Sequence, residues 1–263
     1  MSKKITILGA GNVGTHLIKR FQNSGVVIHQ VFTRHIEKNA NWDNINVIDN
    51  LDLLDKNADV YILSVSDAAI ENLAKQISQI LDNQLIVHTS GTIPGSVFNP
   101  YFKRFGVFYP LQTFSKKREP DWNEIPICID AAKVEDKILL HEIALNASPK
   151  VYYISDEQRA KIHVAAVFVN NFVNHLYHIG EEILLHEQLP FDILKPLIRE
   201  TAAKIEINPP SAMQTGPARR GDLITIEKHI SYLEQFPDYQ DIYEIITKDI
   251  ISEKLKVKSE KRT

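Results

Sequence analysis

The sequence predicts an α/β domain with parallel strands, followed by an all-α domain. Three observations carry that prediction. Strand and helix signals alternate through the first half, a glycine-rich turn separates the first strand from the first helix, and strand signals stop after Ser155. The expected division is residues 1–154 and 155–263, in keeping with the rough prior of about 150 residues per domain.

Lys4-Ile5-Thr6-Ile7-Leu8 is a β-branched run that stops at Gly9, and residues 13–21 form an amphipathic stretch ended by Gly25. Further strands are expected at 26–32, 47–48, 60–65 and 85–88. Between the last two, Ile70, Leu73, Ile77 and Ile80 share one face of a helix over 67–81. Apolar runs bounded by turns and separated by helices indicate parallel strands covered on both faces. Strand-like runs at 106–109, 125–129 and 151–154 follow, with a helix over 134–145. Residues 156 to about 187 read as one long helix with Ser155 or Asp156 as its N-cap. Pro190 interrupts it, 191–207 read as a second helix, and more helices follow a loop from Pro209-Pro210 to Pro217. The basic tail 254–263 reads as a frayed end.

Composition narrows the function classes. A chain of 263 residues, 44% of them hydrophobic, can bury a core without disulfide or metal staples. A net charge of −3 gives no global field for nucleic acid or membrane. The single cysteine, Cys128, excludes an intramolecular disulfide and a Cys-based zinc site. Met1-Ser2-Lys3-Lys4 leads into an apolar run too short for a signal peptide. The least charged long stretch, 164–180, carries three Asn and two His and is no membrane span. A cytoplasmic protein of enzyme size is expected.

Gly9-Ala10-Gly11-Asn12-Val13-Gly14 is G-x-G-x-x-G, and here a strand precedes it and a helix follows. Gly9 permits the tight turn, Gly11 lets a pyrophosphate approach the backbone, and Gly14 lets helix and strand pack closely. The helix N-terminus offers free N–H groups and positive partial charge to the phosphates. The first domain is therefore an α/β Rossmann-like dinucleotide-binding domain. An NAD-specific site would carry Asp or Glu at the end of the second strand. This chain has Phe32-Thr33-Arg34-His35, and Glu37 and Lys38 come too late. Arg34 and Thr33 suit a 2′-phosphate, which favours NADP; the plainer reading of Arg34 is an exposed strand-end arginine.

Ligands in open α/β sheets collect outside the carboxyl ends of strands. Ser64, Val65 and Ser66 suit a wall of the cofactor path, and Asp67 is either part of it or a helix N-cap. His88 and Ser90 either contact cofactor or substrate, or, with Thr89 and Gly91, simply make a turn.

The N-terminal half resembles the dinucleotide-binding domain of the 6-phosphogluconate dehydrogenase superfamily, which includes pyrroline-5-carboxylate reductase. The whole chain is similar to bacterial NADP oxidoreductases with a Rossmann-like domain and a helical domain of unknown function. The matching pieces are the glycine motif, Ser64 to Asp67, His88-Thr89-Ser90-Gly91, Tyr109-Pro110-Leu111-Gln112-Thr113-Phe114 and Thr215-Gly216-Pro217-Ala218-Arg219-Arg220-Gly221-Asp222. The resemblance implies NADP binding and a homodimer through the helical domain, and it implies no substrate.

In related β-hydroxyacid dehydrogenases the long helix carries a catalytic lysine followed by two asparagines. Asn170 and Asn171 match the asparagines, but Val167 holds the lysine's place. At about 100° per residue, Arg159, His163, Val167, Asn170, Asn174 and His178 would share one helix face. His163 is then a candidate proton donor, since a histidine's ordinary pKa of about 6.5 suits the task. Asn170 or Asn171 would orient the substrate. The plainer reading of His163 is a core or dimer-face histidine. His175, His178, Glu182 and His186 lack the second carboxylate–histidine set of a bundle metal site, so no metal is expected. Arg219 and Arg220 either bind a substrate carboxylate or belong to a loop in which Asp222 caps the next helix.

The expected function is an NADP-dependent oxidoreductase moving hydride between nicotinamide and a small carbonyl or imine, with a deazaflavin as a variant partner. The alternative, motivated by the absent lysine, is a non-catalytic NADP-binding sensor or regulatory dimer.

Overall fold

The computed structural model describes residues 2–34, 42 and 44–260. Eight strands make one sheet in the order β3-β2-β1-β4-β5-β6-β7-β8. They are β1 (Lys4–Leu8), β2 (Val27–Phe32), β3 (Val47–Ile48), β4 (Val60–Leu63), β5 (Leu85–His88), β6 (Phe105–Pro110), β7 (Ile127–Ala131) and β8 (Val151–Tyr153). Every pair is parallel except β6 with β7. The expectation of parallel strands fails only there. No helix separates β6 from β7, and an antiparallel pair needs no crossover helix.

Every residue of β4 and β5 is buried, which is why these segments read as unbroken apolar runs. Alternate side chains feed two cores. Val60, Ile62, Leu85 and Val87 join Ile5, Ile7, Leu17 and Phe21 on one face. Tyr61, Leu63 and Ile86 join Ile70, Leu73, Ile77 and Phe98 on the other. The helices that cover the sheet are α1 (Asn12–Gln22), α2 (Asp67–Ile77) and α3 (Val134–Leu145).

The long helix begins as α4 (Asp156–Ala166) with a capping box: the Gln158 N–H donates to Ser155 Oγ at 3.3 Å, and the Ser155 N–H donates to Gln158 Oε1 at 3.0 Å. A π-helical segment, Val167–Phe172, leads into α5 (Val173–His186). The chain forms two compact units, Met1–Asn171 and Phe172–Thr263. They divide inside the long helix, whereas the expected boundary at 154/155 precedes it. The first turns of α4 hydrogen-bond with the first unit, through Arg159 to the Ile93 carbonyl and His163 to Tyr109.

The second unit continues with α6 (Lys195–Ile207), α7 (Pro210–Met213), α8 (Pro217–Arg220), α9 (Leu223–Leu233) and α10 (Pro237–Glu260). The backbone of α10 is helical to Glu260, through part of the tail expected to fray. Residues 261–263 lie outside the described residues.

Candidate active site

The chain runs from β1 out to β3 on one side, then returns to place β4 on the other side of β1. That reversal leaves a crevice at the carboxyl ends of β1 and β4. A cleft of about 830 Å³ occupies it, lined by Gly9, Ala10, Gly11, Asn12, Val13, Thr33, Arg34, Ser64, Val65 and Ser66. All ten are positions that the sequence reading assigned to the cofactor.

The three glycines divide the work as the motif demands. Gly9 has φ 109°, and a Cβ there would lie 2.3 Å from the Ser64 carbonyl oxygen. A Cβ on Gly14 would lie 2.1 Å from the Gly9 carbonyl oxygen, so Gly14 serves packing and does not line the cleft. A Cβ on Gly11 would meet nothing within 4 Å. Protein packing leaves that space open for a ligand. Helix α1 has no side-chain cap on its first N–H groups and no acid in its first turn. An uncapped helix start beside an open glycine fits a dinucleotide pyrophosphate. Arg34 is exposed on the cleft, while Thr33 is buried and donates its N–H to the Ile48 carbonyl at 2.9 Å. His35, Glu37 and Lys38 lie outside the described residues.

At the end of β4, Ser66 occupies the N-cap of α2 and Asp67 is the first helical residue. Asp67 Oδ2 accepts from the Thr92 hydroxyl at 2.7 Å, so its role is to tie two loops together. At the end of β5 strand alternation turns His88 inward, and Thr89 lines the cleft in its place. The Ser90 N–H donates to His88 Nδ1 at 3.2 Å. Ser90 Oγ in turn accepts from the N–H groups of Thr92 and Ile93 at 3.1 and 3.0 Å. Both residues therefore shape the turn and do not border the cleft. Burial pushes the His88 pKa down to about 4, which keeps the ring neutral.

His163 meets two residues that sequence reasoning had not assigned to catalysis. Its Nδ1 is 3.2 Å from the Tyr109 hydroxyl, and a Cβ on Gly91 would lie 2.4 Å from that same nitrogen. The turn after β5, the end of β6 and α4 thus converge on one imidazole. Burial raises the Tyr109 pKa above its ordinary value, so the phenol keeps its proton. One turn earlier, Arg159 is fully buried, paired with Asp156 Oδ1 at 2.6 Å and donating to the Ile93 carbonyl. Asp156 Oδ2 accepts from the Gly95 N–H at 2.8 Å. The pair clamps α4 onto the loop after β5.

Asn170 and Asn171 fall inside the π-helical segment, the first half-buried and the second exposed. The extra residue in a π turn rotates everything after it by about 100° relative to a straight α-helix. The single stripe from His163 to Asn174 and His178 is corrected accordingly, because uniform spacing does not hold across residues 167–172.

In the second unit Gly216 and Gly221, at φ 100° and 79°, frame α8 with Arg219 and Arg220. Asp222 Oδ1 accepts from the Thr225 N–H at 3.1 Å and Oδ2 from its hydroxyl at 2.8 Å, so Asp222 is the N-cap of α9. Arg220 stands 3.9 Å from Asp222.

Comparison with known proteins converges on the same cofactor chemistry. Residues 4–91 match the family described as NADP oxidoreductase, coenzyme F420-dependent, and residues 125–250 match a domain of unknown function, DUF2520. The chain is 39% identical to the putative NADP oxidoreductase of Bacteroides fragilis, with a TM-score of 0.89 over 95% of this chain and 98% of that one. It shares its fold with an imine reductase from Myxococcus stipitatus in complex with NADP+ (14% identity, TM-score 0.65, covering 97% and 94%). The same holds for a 1-pyrroline-5-carboxylate reductase from Streptococcus pyogenes (13% identity, TM-score 0.62, covering 95% and 99%). No curated protein matches the chain.

Proposed function

The chain belongs to the NADP oxidoreductase family, and from that premise we propose that it moves hydride between nicotinamide and a small carbonyl or imine. When bound, the nicotinamide supplies or accepts the hydride, and the protein orients the partners. Gly9 to Gly14 form the cradle and turn, Thr33 and Arg34 take the 2′-phosphate, and Ser64, Val65 and Ser66 form the wall. The open space at Gly11 and the uncapped start of α1 support this assignment.

His163 is our proton donor. The observation that carries the assignment is its 3.2 Å contact with Tyr109 beside the ends of β5 and β6. In the imidazolium form Nδ1–H is donated to the phenol oxygen and the Nε2 proton can pass to a carbonyl or imine, which leaves the ring as the neutral Nδ1–H tautomer held by Tyr109. Asn170 and Asn171 hold the substrate, and their place in a π segment supports that role, since such bulges gather at functional sites. We assign Arg219 and Arg220, framed by Gly216 and Gly221 in the second unit, to carboxylate recognition. Residues 155–263 serve as the substrate and dimerisation half, in a cytoplasmic homodimer. Leu197, Ile207, Ile224 and Ile245 on its surface are more than half exposed, which supports a covered interface. Among the described residues no helix is long and apolar enough to cross a membrane.

The test is NADPH oxidation with a panel of carbonyls and cyclic imines, with wild type beside His163→Ala. Turnover that disappears in the variant supports the assignment, and unchanged turnover refutes it. The second reading, a non-catalytic NADP-binding sensor, draws on Val167 at the place of the relatives' lysine. NADPH binding without turnover across the panel would favour it.

A further inference from the structure

Lys116 lines the dinucleotide cleft from the loop between β6 and β7, a segment outside the glycine motif. The loop is built to hold it. Ser115 and Arg118 pair as an isolated β-bridge, with the Arg118 N–H donating to the Ser115 carbonyl at 3.1 Å, so Lys116 sits at the corner of a closed turn. The same carbonyl accepts from His16 Nε2 at 2.9 Å. His16 lies in α1, four residues after Asn12 and hence on its face of the helix. It is fully buried, with its ring 5.4 Å from that of Phe114. Farther along α1, Lys19 Nζ is 3.6 Å from Glu119. The loop is therefore fastened along α1 from Lys19 back to His16, toward the helix start where Gly11, Asn12 and Val13 line the cleft.

A buried histidine with Nε2 on a loop carbonyl and Nδ1 3.8 Å from Glu119 of the same loop is a specific device. Its effect is to fix an exposed lysine on the cleft that the uncapped start of α1 borders. We propose that the Lys116 ammonium is a ligand of the dinucleotide pyrophosphate, and that His16 is the positioning residue that sets its turn. The inference rests on the reading that this cleft holds the cofactor. A full charge on the lysine adds to the partial charge of the helix N-terminus, and both fall on the diphosphate. The 2′-phosphate belongs instead to Arg34, at the end of β2.

Equilibrium binding by calorimetry separates these assignments, with NADP, NAD and adenosine 2′-monophosphate as probes. The last carries a 2′-phosphate and no pyrophosphate. Lys116→Gln should weaken NADP and NAD alike, by about tenfold or more, and leave adenosine 2′-monophosphate unchanged. A loss confined to NADP, or no loss, would overturn the proposal. His16→Ala should weaken both dinucleotides in the wild-type background and add nothing to Lys116→Gln, whereas a general structural defect would add in both backgrounds. Gly11→Leu keeps the two failures apart. If it leaves NADP binding intact, the cleft assignment itself fails; if it abolishes binding while Lys116→Gln has no effect, only the lysine proposal fails.

Discussion

The Tyr109 hydroxyl and His163 Nδ1 stand 3.2 Å apart, joining the end of β6 to the first helix beyond the sheet. Neither residue borders the dinucleotide cleft, so their loss should be felt in chemistry and not in cofactor affinity. Removing a positioned proton donor typically costs about 10²–10⁴ in rate. His163→Ala should lower kcat by that order and leave the NADP Kd unchanged, as read by steady-state kinetics beside calorimetry. Gly91→Ala should imitate it, because the added methyl would lie 2.4 Å from His163 Nδ1.

Two glycines in one motif should answer the same substitution in opposite ways. Gly14→Ala places a Cβ 2.1 Å from the Gly9 carbonyl oxygen, a backbone clash that should destabilise the fold by about 1–3 kcal/mol. Gly11→Ala meets no protein atom within 4 Å and should leave the urea midpoint unchanged while weakening NADP. Chemical denaturation and binding measured on both variants check the pair.

That contrast marks what was legible in the sequence. The glycine motif is local: strand, turn and helix start follow one another in the chain, so spacing alone located every one of its residues. Arg34 was legible for the same reason, as a strand end. The contact of Tyr109 with His163 spans 54 residues and depends on β6 lying beside β5, which no periodicity reports. His88 and Ser90 misled because a strand end presents alternate residues to opposite sides, and the phase of that alternation fell on Thr89. The π segment broke the helical count because nothing in Val167-Phe168-Val169-Asn170-Asn171-Phe172 announces an extra residue per turn.

The proposed 2′-phosphate role of Arg34 predicts a difference between the two nicotinamide cofactors. Arg34→Ala should weaken NADP by an order of magnitude or more, since a charge-assisted contact to a phosphate is lost, and should leave NAD nearly unaffected. Equal losses for the two would refute the 2′-phosphate role.

His88 gives the fold a pH dependence. Burial holds its pKa near 4 in the folded chain, below the ordinary 6.5. Between those values the unfolded chain binds the extra proton, so stability falls as pH drops from about 6.5 toward 4 and levels off below. Urea midpoints at pH 7 and pH 5 should differ more for wild type than for His88→Asn, which lacks the titrating ring. An equal difference would remove His88 from the account.

The most direct test follows the hydride itself. Wild-type protein is incubated with NADPH deuterated at the nicotinamide C4 and a panel of small carbonyls, cyclic imines and a deazaflavin, and products are read by mass spectrometry. The account predicts one deuterium on the former carbonyl or imine carbon of a turned-over substrate, with transfer lost in His163→Ala. Tight NADPH binding with no label in any carbonyl or imine, or label in the deazaflavin alone, would contradict it.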